Sequence, residues 1–215
     1  YRVQKFSKSG ELLRVIGEFG TADGQFVGPH GIAVDSRDHV YVSDWTHEVV
    51  NHQFVRIQEF DENGASVRNW GSYPTLLMPY DIVFDASGGF FACAQDNRIL
   101  RYGPDTSLLG IFAEAANEPD QYYAWRGLAR DPAGRFYVAD AAQATVQVLD
   151  ANGTASAKWT PTSRGTGAFY GPAGVTTDAV GNLYVADRLN HRVVKFDSTG
   201  QMVQEFLSPG PEYWW

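Results

Sequence analysis

The chain has 215 residues, with 25 acidic against 17 basic side chains and a formal charge of −8. That balance opposes an extended nucleic-acid footprint, which needs a basic face against phosphates. Hydrophobic residues at 44% exclude a disordered chain, and no apolar run approaches the ~20 residues of a membrane-spanning helix.

In chain order, residues 1–24 hold only two predicted strands, ArgValGlnLysPhe (2–6) and GluLeuLeuArgValIle (11–16), joined by a turn at Ser7 to Gly10. Four longer units follow, at 25–74, 75–120, 121–167 and 168–215. Their first turns are Asp35-Ser-Arg-Asp38, Asp85-Ala-Ser-Gly88, Asp131-Pro-Ala-Gly134 and Asp178-Ala-Val-Gly181, spaced by 50, 46 and 47 residues. A fixed period of this size signals a propeller or solenoid. Asp at the first position and Gly at the fourth suit a type I turn, with the carboxylate accepting from backbone N–H groups two residues on.

After each first turn comes a Val- and Tyr-rich strand: TyrValSerAsp (41–44), PheAlaCysAla (91–94), TyrValAlaAsp (137–140) and TyrValAlaAsp (184–187). Second turns recur at Asp61 to Gly64, Asp150 to Gly153 and Asp197 to Gly200, whereas the second unit reads TyrGlyProAspThrSer (102–107). Short strands between such turns predict an antiparallel meander of four strands per unit. The fold class is therefore all-β: four complete four-stranded blades and a half blade within one propeller domain. A half blade cannot bury its apolar face alone, and the tail 208–215 is too short to supply two strands. The expectation is a piece of a larger ring, with missing blades from the same or another chain.

Recurrent residues divide into structural and functional candidates. Asp44, Asp140 and Asp187 share one repeat position, filled by Ala94 in the second unit; a strand-end carboxylate there is expected to satisfy loop backbone donors. Phe26, Leu76, Tyr122 and Phe169 recur three residues before a Pro or Trp and are expected to plug the space between blades. The single cysteine, Cys93, sits in an apolar strand and reads as a buried small residue.

Departures from the repeat carry the functional reading. The Asp-x-x-Gly turns share one rim and are short, so variable loops fall on the other rim. In the first unit Asp44 to Asp61 spans 17 residues, against 10 in the third and fourth. The extra residues bring His47, Glu48 and His52 beside Trp45, a set that suits ligand binding, a metal such as zinc or calcium, or acid–base chemistry, or a plain polar loop. The two histidines are five apart, which is not the spacing of the helical zinc motif.

Where each innermost strand starts, the units read ProHisGly (29–31), ProTyrAsp (79–81), TrpArgGly (125–127) and ProAlaGly (172–174). His30, Tyr80, Arg126 and Ala173 are expected to line a central channel. Tyr80 and Arg126 are the catalytic candidates, since an arginine fork orients anionic or carbonyl groups, and a structural hydrogen-bonding role is the other reading. Trp45, Trp125 and Arg126 are candidates for holding a protein, peptide or glycan ligand by stacking and polar contact.

GlyAsnLeuTyrValAlaAspArgLeuAsnHisArgValValLysPheAsp (181–197) closely resembles the core of the NHL repeat, and the pattern covers essentially the whole chain. The resemblance implies a β-propeller, commonly of six blades, and slightly favours an extracellular or periplasmic location. It implies little about activity, because that fold carries binding scaffolds and enzymes alike. Asn190, His191 and Arg192 belong to the generic signature. PheValGlyProHisGlyIleAlaValAsp (26–35) is similar to a segment of the peptidyl-hydroxyglycine amidating lyases, relatives of the repeat family that hold zinc through Pro-His motifs of several blades. His30 matches that position and is the metal-ligand candidate; Tyr80, Arg126 and Ala173 do not match it, and one imidazole is short of the three ligands that catalytic zinc uses.

Overall fold

The structure, a computed structural model, describes residues 1–46, 55–71, 76, 78–94, 96–105, 107–115, 125–161 and 167–207. Strands β1 (Val3–Phe6) and β2 (Leu12–Ile16) form a two-stranded sheet. Four four-stranded sheets follow, each joining strands in chain order. Blade one is β3 (Pro29–Val34), β4 (Val40–Asp44), β5 (Arg56–Phe60) and β6 (Ser66–Trp70); blade two is β7 (Pro79–Phe84), β8 (Phe90–Ala94), β9 (Arg98–Tyr102) and β10 (Leu108–Glu114). Blade three is β11 (Trp125–Arg130), β12 (Phe136–Asp140), β13 (Thr145–Leu149) and β14 (Ala155–Trp159); blade four is β15 (Pro172–Thr177), β16 (Leu183–Asp187), β17 (Arg192–Phe196) and β18 (Met202–Leu207). The all-β propeller blades expected from the repeat are present. No helix among the described residues is long and apolar enough to cross a membrane.

The turns form as their residue types dictate. Asp61 Oδ1 accepts from the backbone N–H groups of Asn63 (2.9 Å) and Ala65 (2.8 Å), and the Gly64 N–H closes the turn on the Asp61 carbonyl at 2.9 Å. Gly64 has φ +78°, where a side chain is strained. Asp38, which stands at this position in the first turn of blade one, is forced into the same region at φ 62°.

These carboxylates tie stability to pH. The Thr199 hydroxyl, then the backbone N–H groups of Gln201 and Thr199, hold the Asp197 carboxyl below the ordinary aspartate value; Asn182 does the same for Asp178. Burial pushes Asp85 and Asp131 up, but hydrogen bonds from Ser87 and from Arg135 and Tyr137 outweigh it, and both end below the ordinary value. A group depressed on folding stabilises above its unfolded value, near ~3.9, and loses that contribution as pH falls through the folded value. Thermal unfolding curves should therefore be nearly flat in these groups down to about pH 4 and drop below it. Asp197→Asn should make that drop shallower, and an unchanged slope would contradict the assignment.

The chain forms two compact units, residues 1–95 with 99–111, and 96–98 with 112–215. In the first, Ile16, Phe26, Val42 and Phe60 form one apolar cluster, and Tyr41, Ile57, Leu76, Met78, Ile82 and Phe90 are central to another. In the second, Tyr137, Val146, Phe169, Leu183, Val194 and Phe196 belong to a third. Phe26, Leu76 and Phe169 are buried in these layers as plugs; Tyr122 lies outside the described residues. Cys93 is buried and free of disulfide.

Candidate functional site

The start of every innermost strand is irregular in the same way. Pro29, Pro79, Trp125 and Pro172 face Asp44, Ala94, Asp140 and Asp187 across the ladder, and the register then shifts before Ile32, Asp81, Gly127 and Val175. A bulge of this kind takes a residue out of the ladder and re-aims its side chain. The re-aimed residues include His30, Tyr80, Arg126 and Ala173, the positions singled out by the sequence.

In the first unit this device builds an aromatic cluster. The exposed His30 ring lies flat on Trp45, with centroids 4.2 Å apart and planes 12° from parallel. Tyr80 meets both edge-on, 6.1 Å from His30 and 5.2 Å from Trp45. Trp45 is 2% exposed and its indole Nε1 donates to the Pro79 carbonyl at 2.9 Å. Its ring therefore supports His30 from beneath and presents little surface of its own. His47, Glu48 and His52 follow Trp45 in the inserted loop and lie outside the described residues.

In the second compact unit Trp125 is also turned inward, 1% exposed, its indole Nε1 donating to Asp140 Oδ2 at 3.3 Å and its backbone N–H to Asn97 Oδ1 at 3.1 Å. Arg126 is half-buried beside it, and its Nε is buried with no hydrogen-bond acceptor among the described residues.

The strand-end aspartates hold these bulges. Asp44 Oδ1 accepts from the N–H groups of Val27 (2.9 Å) and Gly28 (2.8 Å), and Oδ2 accepts from Arg56 Nε at 3.0 Å. Asp187 accepts from the Tyr170 N–H at 2.7 Å, Arg192 Nε at 2.6 Å and Asn190 Nδ2 at 2.8 Å. Asp140 accepts from Gln147 Nε2 at 2.6 Å and the Gln143 N–H at 2.9 Å. All three are fully buried, and the carboxylates bind loop backbone as their recurrence predicts. His191 caps a single 3-10 turn at Arg188–Asn190 with φ 50°, a local structural duty.

One charged cluster escaped the sequence reading. Asp35, His39 and Glu59 bring ligand-type atoms within 4.8 Å of one another, on the rim of the short turns. Glu59 is buried, and accepts from His39 Nδ1 at 2.7 Å and Arg37 at 3.2 Å, and pairs with Arg68. Asp35 is bound by Arg37 at 2.7 Å. Two guanidinium groups balance the two carboxylates, and these residues do not fit a divalent cation. The signal was a Glu in β5 at the position that Val148 fills in blade three, a charge inside a buried strand. No set of three ligand-type side chains among the described residues includes His30.

The NHL repeat profile matches residues 26–57 and 169–196, the parts of blades one and four that carry these bulges and aspartates. No curated protein sequence matches significantly. Among solved structures, a streptogramin B lyase aligns with TM-score 0.63 and 16% identity over 85% of this chain and 55% of that one. A catalytically inactive histidine-to-alanine variant of virginiamycin B lyase from Staphylococcus aureus, with quinupristin, aligns with TM-score 0.63 and 15% identity over 86% and 57%. A protein of unknown function from Bacteroides caccae aligns with TM-score 0.67 and 14% identity over 99% and 71%. This chain thus spans little more than half the length of the two lyase structures, and the likeness is one of fold.

Proposed function

We propose that this chain, an assembly of NHL repeats folded as β-propeller blades, is a binding module for a protein, peptide or glycan. The binding surface is the rim where His30 and Tyr80 open the innermost strands β3 and β7. The observation that carries the reading is the exposed His30 ring stacked on a buried, hydrogen-bonded Trp45. An aromatic face held in place from below, with a polar imidazole edge and a neighbouring phenol, suits sugar rings and peptide side chains. By sequence, the inserted loop with His47, Glu48 and His52 leaves this rim directly after Trp45. In the second unit Arg126 is the matching residue, and its guanidinium suits an anionic group.

A glycan array and a displayed peptide library supply the probes. The intact chain should retain at least one ligand class, and His30→Ala should weaken that ligand by about tenfold or more, about 1.4 kcal/mol, with an unchanged melting temperature. Equal affinity of the two proteins would remove His30 from the surface. A metal-dependent lyase or hydrolase is the second reading, favoured by His30 and Tyr80 at bulged, re-aimed positions and by the lyases that share the fold. Its sign would be one zinc or calcium per purified chain, absent from His30→Ala.

A further inference from the structure

Each blade ends in an outer strand, β6, β10, β14 or β18, with no further strand beside it among the described residues. Such an edge carries unpaired N–H and C=O groups and is a template for another chain, and proteins blunt it with charged side chains on the edge strand. The ladder makes the four edges comparable. The third strands end at Phe60, Tyr102, Leu149 and Phe196, each paired with the first residue of its second strand. Ser66, Ala155 and Met202 pair with three of these ends, six residues on, and Leu108 stands six residues after Tyr102.

Counted from there, the outer strands of blades one to four read SerValArgAsnTrp, LeuLeuGlyIlePhe, AlaSerAlaLysTrp and MetValGlnGluPhe. Blades one, three and four thus carry Arg68, Lys158 and Glu205 in these five places. Blade two has no polar side chain there, and its first charge is Glu114. The fourth place, Asn69, Lys158 and Glu205 elsewhere, is Ile111 in blade two. Ile111 is 51% exposed, Leu109 59% and Leu108 42%. Leu109 and Ile111 stand two apart in one strand and share a face. Between them Gly110 has φ +131°, a region that glycine takes up readily, and nothing lies within 4 Å of where its Cβ would stand. A glycine inside a strand with open space beside it admits the close approach of another backbone. Residues 108–111 all belong to the first compact unit.

We propose that the edge formed by residues 108–111 pairs antiparallel with the same edge of a second copy of this chain, about a two-fold axis at Gly110. Charge selects that occupant. Across a two-fold axis the same surface meets itself, and like charges set opposite each other are destabilising. With a formal charge of −8, two copies repel at long range, so an edge that meets itself has to bring no charge of its own. The same axis on blade one would set Arg68 against its own copy, and on blades three and four it would bring two copies of Lys158 or of Glu205 beside it. On β10 it sets Gly110 against Gly110, and Leu109 against Ile111 of the second copy on either side. Four aliphatic side chains then leave water together on one face. The contact runs through the strand edge, not through the faces by which blades pack on one another.

Sedimentation velocity of the whole chain should show a monomer–dimer equilibrium that moves towards dimer as concentration rises. Ile111→Lys should weaken the dimer by about tenfold or more with an unchanged melting temperature, because Ile111 is exposed in the single chain. Phe206→Lys, on the exposed face of blade four, should leave the equilibrium as it was. The register is read by mixing Leu109→Cys and Ile111→Cys proteins under mild oxidation. Opposite positions in an antiparallel pair have Cα atoms about 4.5–5.5 Å apart, within disulfide reach, so the mixture should cross-link and neither protein alone should. Cys93 is buried and takes no part. A chain that stays monomeric at every concentration, a dimer that Ile111→Lys leaves intact or Phe206→Lys abolishes, or a single variant that cross-links as strongly as the mixture would each overturn the proposal.

Discussion

Replacing Asp44 by alanine is expected to destabilise the first unit by about 3–5 kcal/mol, the range for removing one partner of a buried charge pair. Asp44 is fully buried and binds four groups at once: the N–H of Val27, the N–H of Gly28, the Arg56 guanidinium and, at 3.4 Å, the Gln58 side-chain amide. Arg56 also donates to the carbonyls of Thr21 at 3.0 Å and Gln25 at 2.7 Å, so the substitution leaves a mostly buried cation that, among the described residues, keeps neutral partners only. The loop 21–28, which leads to His30, is tied down by these contacts. Asp44→Asn keeps an acceptor for the two N–H groups and should lose less. Urea unfolding measures both, and a loss below about 1 kcal/mol in the alanine variant, the scale of an exposed ion pair, would show that the carboxylate is not structural.

Trp45→Ala should be comparably severe, about 3–5 kcal/mol, as for other buried aromatics cut back to a methyl group. The indole fills the layer between β4 and β7 with Tyr41, Val55, Leu76 and Met78, and its removal also strips the Pro79 carbonyl of a donor. Trp45→Phe restores most of the volume without the N–H and should cost far less, about 1 kcal/mol for the hydrogen bond plus a small packing deficit. Thermal or denaturant unfolding of the two variants separates cavity from hydrogen bond. If alanine and phenylalanine cost the same, Trp45 is held by its N–H alone and its ring is not a core element. Trp45→Ala should also weaken any ligand that depends on His30, because the imidazole loses the surface on which it lies.

Much of the architecture was legible from spacing because a turn of the Asp-x-x-Gly type is a local event. The carboxylate, the two N–H groups and the left-handed glycine lie within five residues, so sequence alone specifies them. The aspartate role at strand ends was legible for a similar reason: recurrence in three blades matches a backbone need common to all. Trp45 and Trp125 were harder to place. Each stands at a strand end beside a loop, where an indole can face solvent or the next blade, and only the neighbouring sheet decides. Both rings face inward. The cluster around Glu59 was illegible because its members come from the first turn, β5 and β6, and meet only once the ladder register is set. The loop that carries His47, Glu48 and His52 stayed outside the described residues, so the rim rests on His30 and Tyr80.

Gly31 and Gly127 begin the tight approach between successive innermost strands. A Cβ on Gly31 would strike the Tyr80 carbonyl, and one on Gly127 would strike the Ala173 carbonyl. At the outer side of the same layers stand Trp70 and Trp159. Each layer is therefore a wedge, one hydrogen atom thick at its thin edge and one indole thick at its thick edge. The angle by which one blade fans from the next is then a matter of side-chain volume graded along the sheet, and two residue types per repeat suffice to encode it.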